Sequence, residues 1–238
     1  MEDERMLDQL ENKAAQTPLQ PPPESQGLNT HFGELLLLFP TAVVKNNIGR
    51  SFTKEEMDCF LSIPMRPTKV NNNETHTQSL NFDVAESIGL EELKDIRQFC
   101  EAQLKNYMEE IEGIDTPRAP LEITQSWVNR IVPQGYHSTH NHKNSYLSGV
   151  LYIKCLPNDS IQFTNRTVLF DTMLEFPKKK ITDVNAEVIS VSVQDGDFII
   201  FPSLVPHQVG INETDDIRMS LSFDTFPAKI PSLYPPFK

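Results

Sequence analysis

Tyr136-His137-Ser138-Thr139-His140-Asn141-His142, running on into Ser145-Tyr-Leu-Ser-Gly-Val-Leu-Tyr-Ile153, decides how the rest of the chain reads. Four imidazole or phenol groups fall within seven residues, directly ahead of an apolar run of strand length. In extended backbone, side chains two positions apart point the same way. His140 and His142 are therefore expected on one face, with His137 on the other. Two neutral imidazoles at that spacing suit iron, zinc, copper or nickel, but a metal site needs a further ligand from elsewhere. The other histidines are His31, His76 and His207. His31 and His76 read as isolated surface or hydrogen-bonded residues. His207 ends Phe201-Pro-Ser-Leu-Val-Pro-His207, just after another apolar run, and is the candidate third ligand.

The surroundings of that stretch are β in character. Expected strands are Ile123–Val132, Ser145–Lys154, Ser160–Phe163, Thr167–Phe170, Glu187–Val193, Phe198–Phe201, Gln208–Ile211 and Arg218–Phe226. Asp195-Gly196-Asp197 is a tight turn between two of them. Many short strands following a helical N-terminal half point to a β-sandwich or jelly roll buttressed by helices. A jelly roll brings distant strand ends together, as a His140, His142 and His207 site requires.

Ahead of the β region the chain is different. Residues 1–30 pass from an acidic start into Thr17-Pro-Leu-Gln-Pro-Pro-Pro-Glu-Ser-Gln-Gly27, which has little to bury and reads as a disordered tail. The folded domain is expected over 31–238, with a helical half at 31–120 and a jelly-roll half at 121–226. Strands are expected at Leu35–Phe39 and Ala42–Asn46. Thr53-Lys-Glu-Glu56 is a capping box opening a helix to Ser62. Residues 64–81, with two prolines and Asn71-Asn-Asn73, read as a long loop. Leu90, Leu93, Ile96, Cys100, Leu104, Met108 and Ile111 form one apolar stripe of helical period, ended by Gly113. That helix is expected against the outside of a sheet. Loops 64–81 and 171–186 flank the sheet and are expected to shape a substrate entrance.

Charge and cysteine content narrow the classes. The net charge is −12, and residues 1–29 and 91–112 hold two thirds of it, each with four more acids than bases. No broad basic surface exists for nucleic acid. Lys178-Lys-Lys180 reads as a solvated loop. Cys59, Cys100 and Cys155 have no metal-binding or redox spacing and fit a reduced compartment. With Met-Glu-Asp-Glu at its start and no run long enough to span a bilayer, the expected setting is cytoplasmic, with no membrane partner.

A second polar feature lies beyond His207. In Arg218-Met-Ser-Leu-Ser-Phe223, Arg218, Ser220 and Ser222 share one face of a strand and Met219, Leu221 and Phe223 the other. A guanidinium on the inner face of a small barrel needs an anionic partner. It can grip a carboxylate with two parallel hydrogen bonds, with a serine hydroxyl beside it.

His140-x-His142, Phe201-Pro-Ser…His207 and Arg218-x-Ser220, in that order, resemble the iron(II)- and 2-oxoglutarate-dependent oxygenases. More closely, the chain is similar to the prolyl-hydroxylase-like members of phages and bacteria, in Leu38-Phe-Pro-Thr41, Trp127-Val-Asn129, Gly135-Tyr136, Leu147-Ser-Gly-Val150 with Tyr152, and Gly196-Asp-Phe-Ile-Ile-Phe-Pro-Ser203. The resemblance covers about residues 36–226. It implies a double-stranded β-helix and a dioxygenase that hydroxylates a small molecule or protein side chain, releasing succinate and CO2. Fe(II) is then implied at His140, His142 and His207, and 2-oxoglutarate at Arg218 and Ser220, with Asn129 and Tyr152 beside it. Ascorbate is a supporting reductant. One position departs from the pattern: His142 stands where most members carry a carboxylate. Two other readings predict different behaviour. A cupin-like three-histidine enzyme binds metal without responding to 2-oxoglutarate, and a non-catalytic jelly-roll module responds to neither.

Overall fold

A computed structural model describes residues 37, 39–67, 76–79, 88–165 and 177–228. Chain contacts divide the molecule at Pro40/Thr41. The expected tail at 1–30, most of the expected strand Leu35–Phe39 and the expected strand Thr167–Phe170 lie outside the described residues; Leu37 and Phe39 themselves are not in a strand.

From Thr41 onward, eleven strands are described: β1 Val44–Asn47, β2 Met65–Pro67, β3 His76–Ser79, β4 Leu121–Ile131, β5 His137–His140, β6 Leu147–Lys154, β7 Ser160–Thr164, β8 Val188–Ser192, β9 Asp197–Pro202, β10 His207–Val209 and β11 Arg218–Pro227. They form two antiparallel sheets. The larger has the order β1-β9-β6-β11-β4-β3-β2 and the smaller β5-β10-β7-β8. This is the double-stranded β-helix implied by the motif order. Two helices, α1 Lys54–Ser62 and α2 Lys94–Asn106, precede the main run of strands.

Apolar side chains lie on both faces of the larger sheet, and residue parity sorts them between two cores. Phe198 and Ile200 of β9, Leu147, Leu151 and Ile153 of β6, and Met219, Leu221 and Phe223 of β11 pack outward with Ile96, Cys100 and Leu104 of α2. Ile199 and Phe201 of β9 and Tyr152 of β6 point inward, to meet Ile161 and Phe163 of β7 in the smaller sheet. Strands buried on both faces lose the polar-apolar alternation of half-exposed ones, which is why Asp197-Phe-Ile-Ile-Phe-Pro202 is a near-continuous apolar run. Phe99 of α2 meets Phe198 edge-on, with centroids 5.6 Å apart. The close fit of α2 to the sheet follows from its single apolar stripe.

Local signals at the helices hold. Thr53 accepts from the Glu56 amide, and Glu56 accepts in return from the Thr53 amide at 2.8 Å. Arg50 grips the same carboxylate with both terminal nitrogens, at 2.8 and 2.6 Å. That guanidinium holds the Glu56 pKa below its ordinary value. The second helix ends in a π-helical turn over Tyr107–Ile111, and Gly113 then takes a positive φ of 65°.

Two expectations fail. Residues 64–81 are not all loop: β2 and β3 lie within them and extend the larger sheet beyond β4. β3 pairs with β2 on one side and, on the other, with β4 more than forty residues further on, where His76 meets Ile131. The expected strand Gln208–Ile211 begins earlier and is shorter, as β10 His207–Val209. His207 is thus inside a ladder, opposite His140 on one side and Phe163 on the other.

Candidate metal and dicarboxylate site

The cavity between the two sheets collects the polar side chains singled out in the sequence. Its volume is about 460 Å³, open mouth included, and its lining includes His140, His142, His207, Arg218, Ser220, Asn129 and Tyr152. One ligand-capable atom from each of His140, His142 and His207 lies within 4.8 Å of the others.

Each of the three imidazoles is fixed by a hydrogen bond at Nδ1. His140 Nδ1 lies 2.9 Å from the Ser138 carbonyl and His207 Nδ1 3.0 Å from the Val205 carbonyl. His142 Nδ1 lies 2.6 Å from Asp224 Oδ1. Carbonyls and a carboxylate only accept, so all three Nδ1 atoms carry the proton, which makes Nε2 the acceptor nitrogen of each ring. Burial, together with the nearby His140 ring, pushes the His207 pKa down to about 3. At neutral pH it is uncharged, the form that ligates metal.

The route by which the rings converge differs from the expectation. β5 ends at His140, and His142 lies in the loop after it rather than further along the same strand. The His142 amide is held by the Ser203 carbonyl at 2.9 Å, and the His140 and His142 rings stack with centroids 5.1 Å apart. His137 is a correction. Its ring stacks on His140 at 3.9 Å and lines the same cavity instead of facing away. The cause is a bulge: His207 and Val209, two apart, pair with His140 and His137, three apart. One extra residue in β5 reverses the side-chain parity.

Arg218 enters the cavity from β11, two residues before Ser220 on the same face. Ser220 pairs with Asn129 of β4 on one side and Tyr152 of β6 on the other. The three form a row across adjacent strands, with Ser222 pairing with Trp127 and Val150 in the next row. Asn129 Nδ2 donates to Ser222 Oγ at 3.0 Å, and the Arg218 guanidinium lies 5.6 Å from the centre of the Tyr152 ring. Burial pushes the Tyr152 hydroxyl pKa up, so it stays protonated as a donor.

Two carboxylates complete the site. Asp159 accepts from Arg218 Nη1 at 3.1 Å, and its other oxygen accepts from the Leu156 amide at 2.9 Å. No local signal in the sequence links it to Arg218, 59 residues away. Asp224, beside His142, could have been found, because it continues the 218, 220, 222 parity one step further.

The fold is thus a double-stranded β-helix with three imidazoles and a buried guanidinium in its inter-sheet cavity. Residues 125–224 match the family described as "Putative 2OG-Fe(II) oxygenase". The solved structures agree in fold. A prolyl hydroxylase from Trichoplax adhaerens, in complex with a hypoxia inducible factor peptide fragment, superposes with a TM-score of 0.54 at 11% identity, covering 78% of this chain and 82% of that one. HygX from Streptomyces hygroscopicus, with nickel and 2-oxoglutarate bound, gives 0.51 at 12%, covering 79% and 84%. A 2OG-Fe(II) oxygenase family oxidoreductase from Burkholderia pseudomallei gives 0.50 at 12%, covering 77% and 83%. No curated protein matches the chain in sequence. No helix among the described residues is long and apolar enough to cross a membrane.

Proposed function

We propose that the chain is an Fe(II)- and 2-oxoglutarate-dependent dioxygenase that hydroxylates a small molecule or a peptide side chain, with release of succinate and CO2. The observation that carries this reading is the cavity shared by three converging imidazoles and Arg218. His140, His142 and His207 hold the iron. Arg218, with Ser220, binds the distal carboxylate of 2-oxoglutarate, while Asn129 and Tyr152 line its sides. The donor set fits a borderline metal such as Fe(II), which accepts imidazole readily. Bound iron with 2-oxoglutarate supplies the oxidising chemistry for C–H hydroxylation.

The protein's own part is orientation and exclusion of water. Asp159 and the Tyr152 hydroxyl each take a guanidinium N–H, and the fork still has further donors for a carboxylate. Trp127, Val150 and Ile161 give the cavity apolar walls, and a charge-assisted pair is worth more in such surroundings than in water. Nickel and 2-oxoglutarate together in the HygX structure support the same pairing here.

The test is succinate release with Fe(II), ascorbate and 2-oxoglutarate, in the wild type and in Arg218→Ala. Binding of both metal and 2-oxoglutarate, lost selectively for 2-oxoglutarate in Arg218→Ala, is the expected result. Metal binding with no response to 2-oxoglutarate indicates the cupin-like three-histidine reading instead, and binding of neither indicates a non-catalytic module.

A further inference from the structure

We infer that Asp224 is the positioning residue of the metal centre, supplying through His142 the negative charge that three neutral imidazoles lack. This rests on the metal-binding part of the reading above and extends it to a residue outside the ligand set. Asp224 Oδ1 is 2.6 Å from His142 Nδ1 and also accepts from Ser148 Oγ at 2.7 Å. The carboxylate and the imidazole are both nearly buried, with 13% and 11% of their side chains exposed. Ser148 Oγ lies 2.8 Å from Ser203 Oγ, which donates to Ser145 Oγ at 2.7 Å. Ser145 Oγ in turn accepts from the Thr225 amide at 3.1 Å. The Ser148 hydroxyl, whose one proton goes to Asp224, therefore holds the carboxylate beside His142, with the Ser203 and Ser145 hydroxyls packed behind it.

The other two rings are oriented by backbone carbonyls of residues two positions earlier, Ser138 and Val205. At His142 the Nδ1 partner is instead a charged side chain, Asp224. A carboxylate accepting from Nδ1–H raises the electron density at Nε2 and fixes the ring, and partners of this kind govern metal affinity from outside the ligand set. The residue type at 142 and the charge at 224 thus form a pair. Asp224 places a carboxylate one imidazole away from where a metal would sit.

The test uses Co(II) as the probe and full-length chains. Asp224→Asn keeps an oxygen acceptor for His142 Nδ1 and removes the charge. The expected result is a folded apo-protein with Co(II) affinity reduced about 10- to 100-fold and a changed Co(II) absorption spectrum. The same substitution is then made in a His142→Asp background. There the ligand carries its own charge and no Nδ1–H remains for Asp224 to accept, so Asp224→Asn is expected to leave Co(II) affinity nearly unchanged. This dependence on the residue at 142 is something a merely structural aspartate does not produce. Unchanged Co(II) affinity in Asp224→Asn, loss of affinity in both backgrounds, or failure of Asp224→Asn to fold without metal would each overturn the inference. Wild-type protein that binds Co(II) but not 2-oxoglutarate sinks the dioxygenase reading and leaves this one standing.

Discussion

Replacing Arg218 separates what the guanidinium does for the fold from what it does for the ligand. Arg218 and Asp159 are nearly out of water, with 5% and 11% of their side chains exposed. Arg218→Ala leaves the Asp159 carboxylate buried, with the Leu156 amide as a remaining partner. Breaking a buried pair by removing one member costs about 3–5 kcal/mol. In a chain of this size that lowers the melting temperature by about 6–20 °C. Arg218→Lys keeps the positive charge but loses the fork, so one ammonium must serve both Asp159 and the incoming carboxylate. Losing one charge-assisted hydrogen bond, worth about 1.5–3 kcal/mol, weakens 2-oxoglutarate binding by about 10- to 150-fold. The assays are a thermal melt without ligand and a calorimetric titration of 2-oxoglutarate into the Co(II)-loaded protein. Adding Asp159→Asn to Arg218→Ala removes the stranded charge. The double variant is expected to recover most of the lost stability and none of the lost binding. An Arg218→Ala protein that melts and binds like the wild type refutes the reasoning at both steps, and a double variant that regains binding refutes the second.

Three further outcomes follow from the geometry. A Cβ on Gly149 falls 2.2 Å from Phe223 Cζ, and Phe223 is fully buried. Gly149→Ala should therefore cost about 1–3 kcal/mol or more in a urea titration, and Phe223→Leu in the same chain should return part of it. Because the folded His207 pKa is about 3 against an ordinary 6.5, the unfolded chain takes up that proton first as pH falls. The metal-free protein is then expected to lose roughly 2 kcal/mol from this group between pH 6.5 and 5, and nothing from it above pH 7. The urea midpoint of His207→Gln should show a shallower pH slope over that window, and an identical slope would count against the buried neutral imidazole. Glu56→Ala removes both the reciprocal cap of α1 and the Arg50 fork. A loss of about 1–3 kcal/mol is expected in the same titration.

Much of the site was legible before any coordinates because strands impose a parity of two. The alternation Arg218-Met-Ser-Leu-Ser-Phe223 assigned three polar side chains inward and three apolar ones outward, and the two cores divide along that line. The capping box at Thr53 and the stripe along α2 were equally local and equally readable. His137 was misread by the same rule, since a single bulge opposite His207 and Val209 shifts the parity and nothing nearby in the sequence marks it.

The sequence by itself determined the fold class, the faces of the long strands and the candidate ligands, since these depend on residue type and on spacing within one element. Tertiary structure alone decided which charges meet. Asp159 reaches Arg218 across 59 residues, and Asp224 reaches His142 across 82. Both contacts exist only because β11 is paired on either side in the larger sheet, with β4 and β6. Hydrogen bonds and ion pairs act over a few ångströms, so a carboxylate's partner is set by strand order and register and not by its neighbours in the chain. His142 shows both halves of this: its place among the ligands was readable from His140-x-His142, while the charge behind it was supplied by the fold.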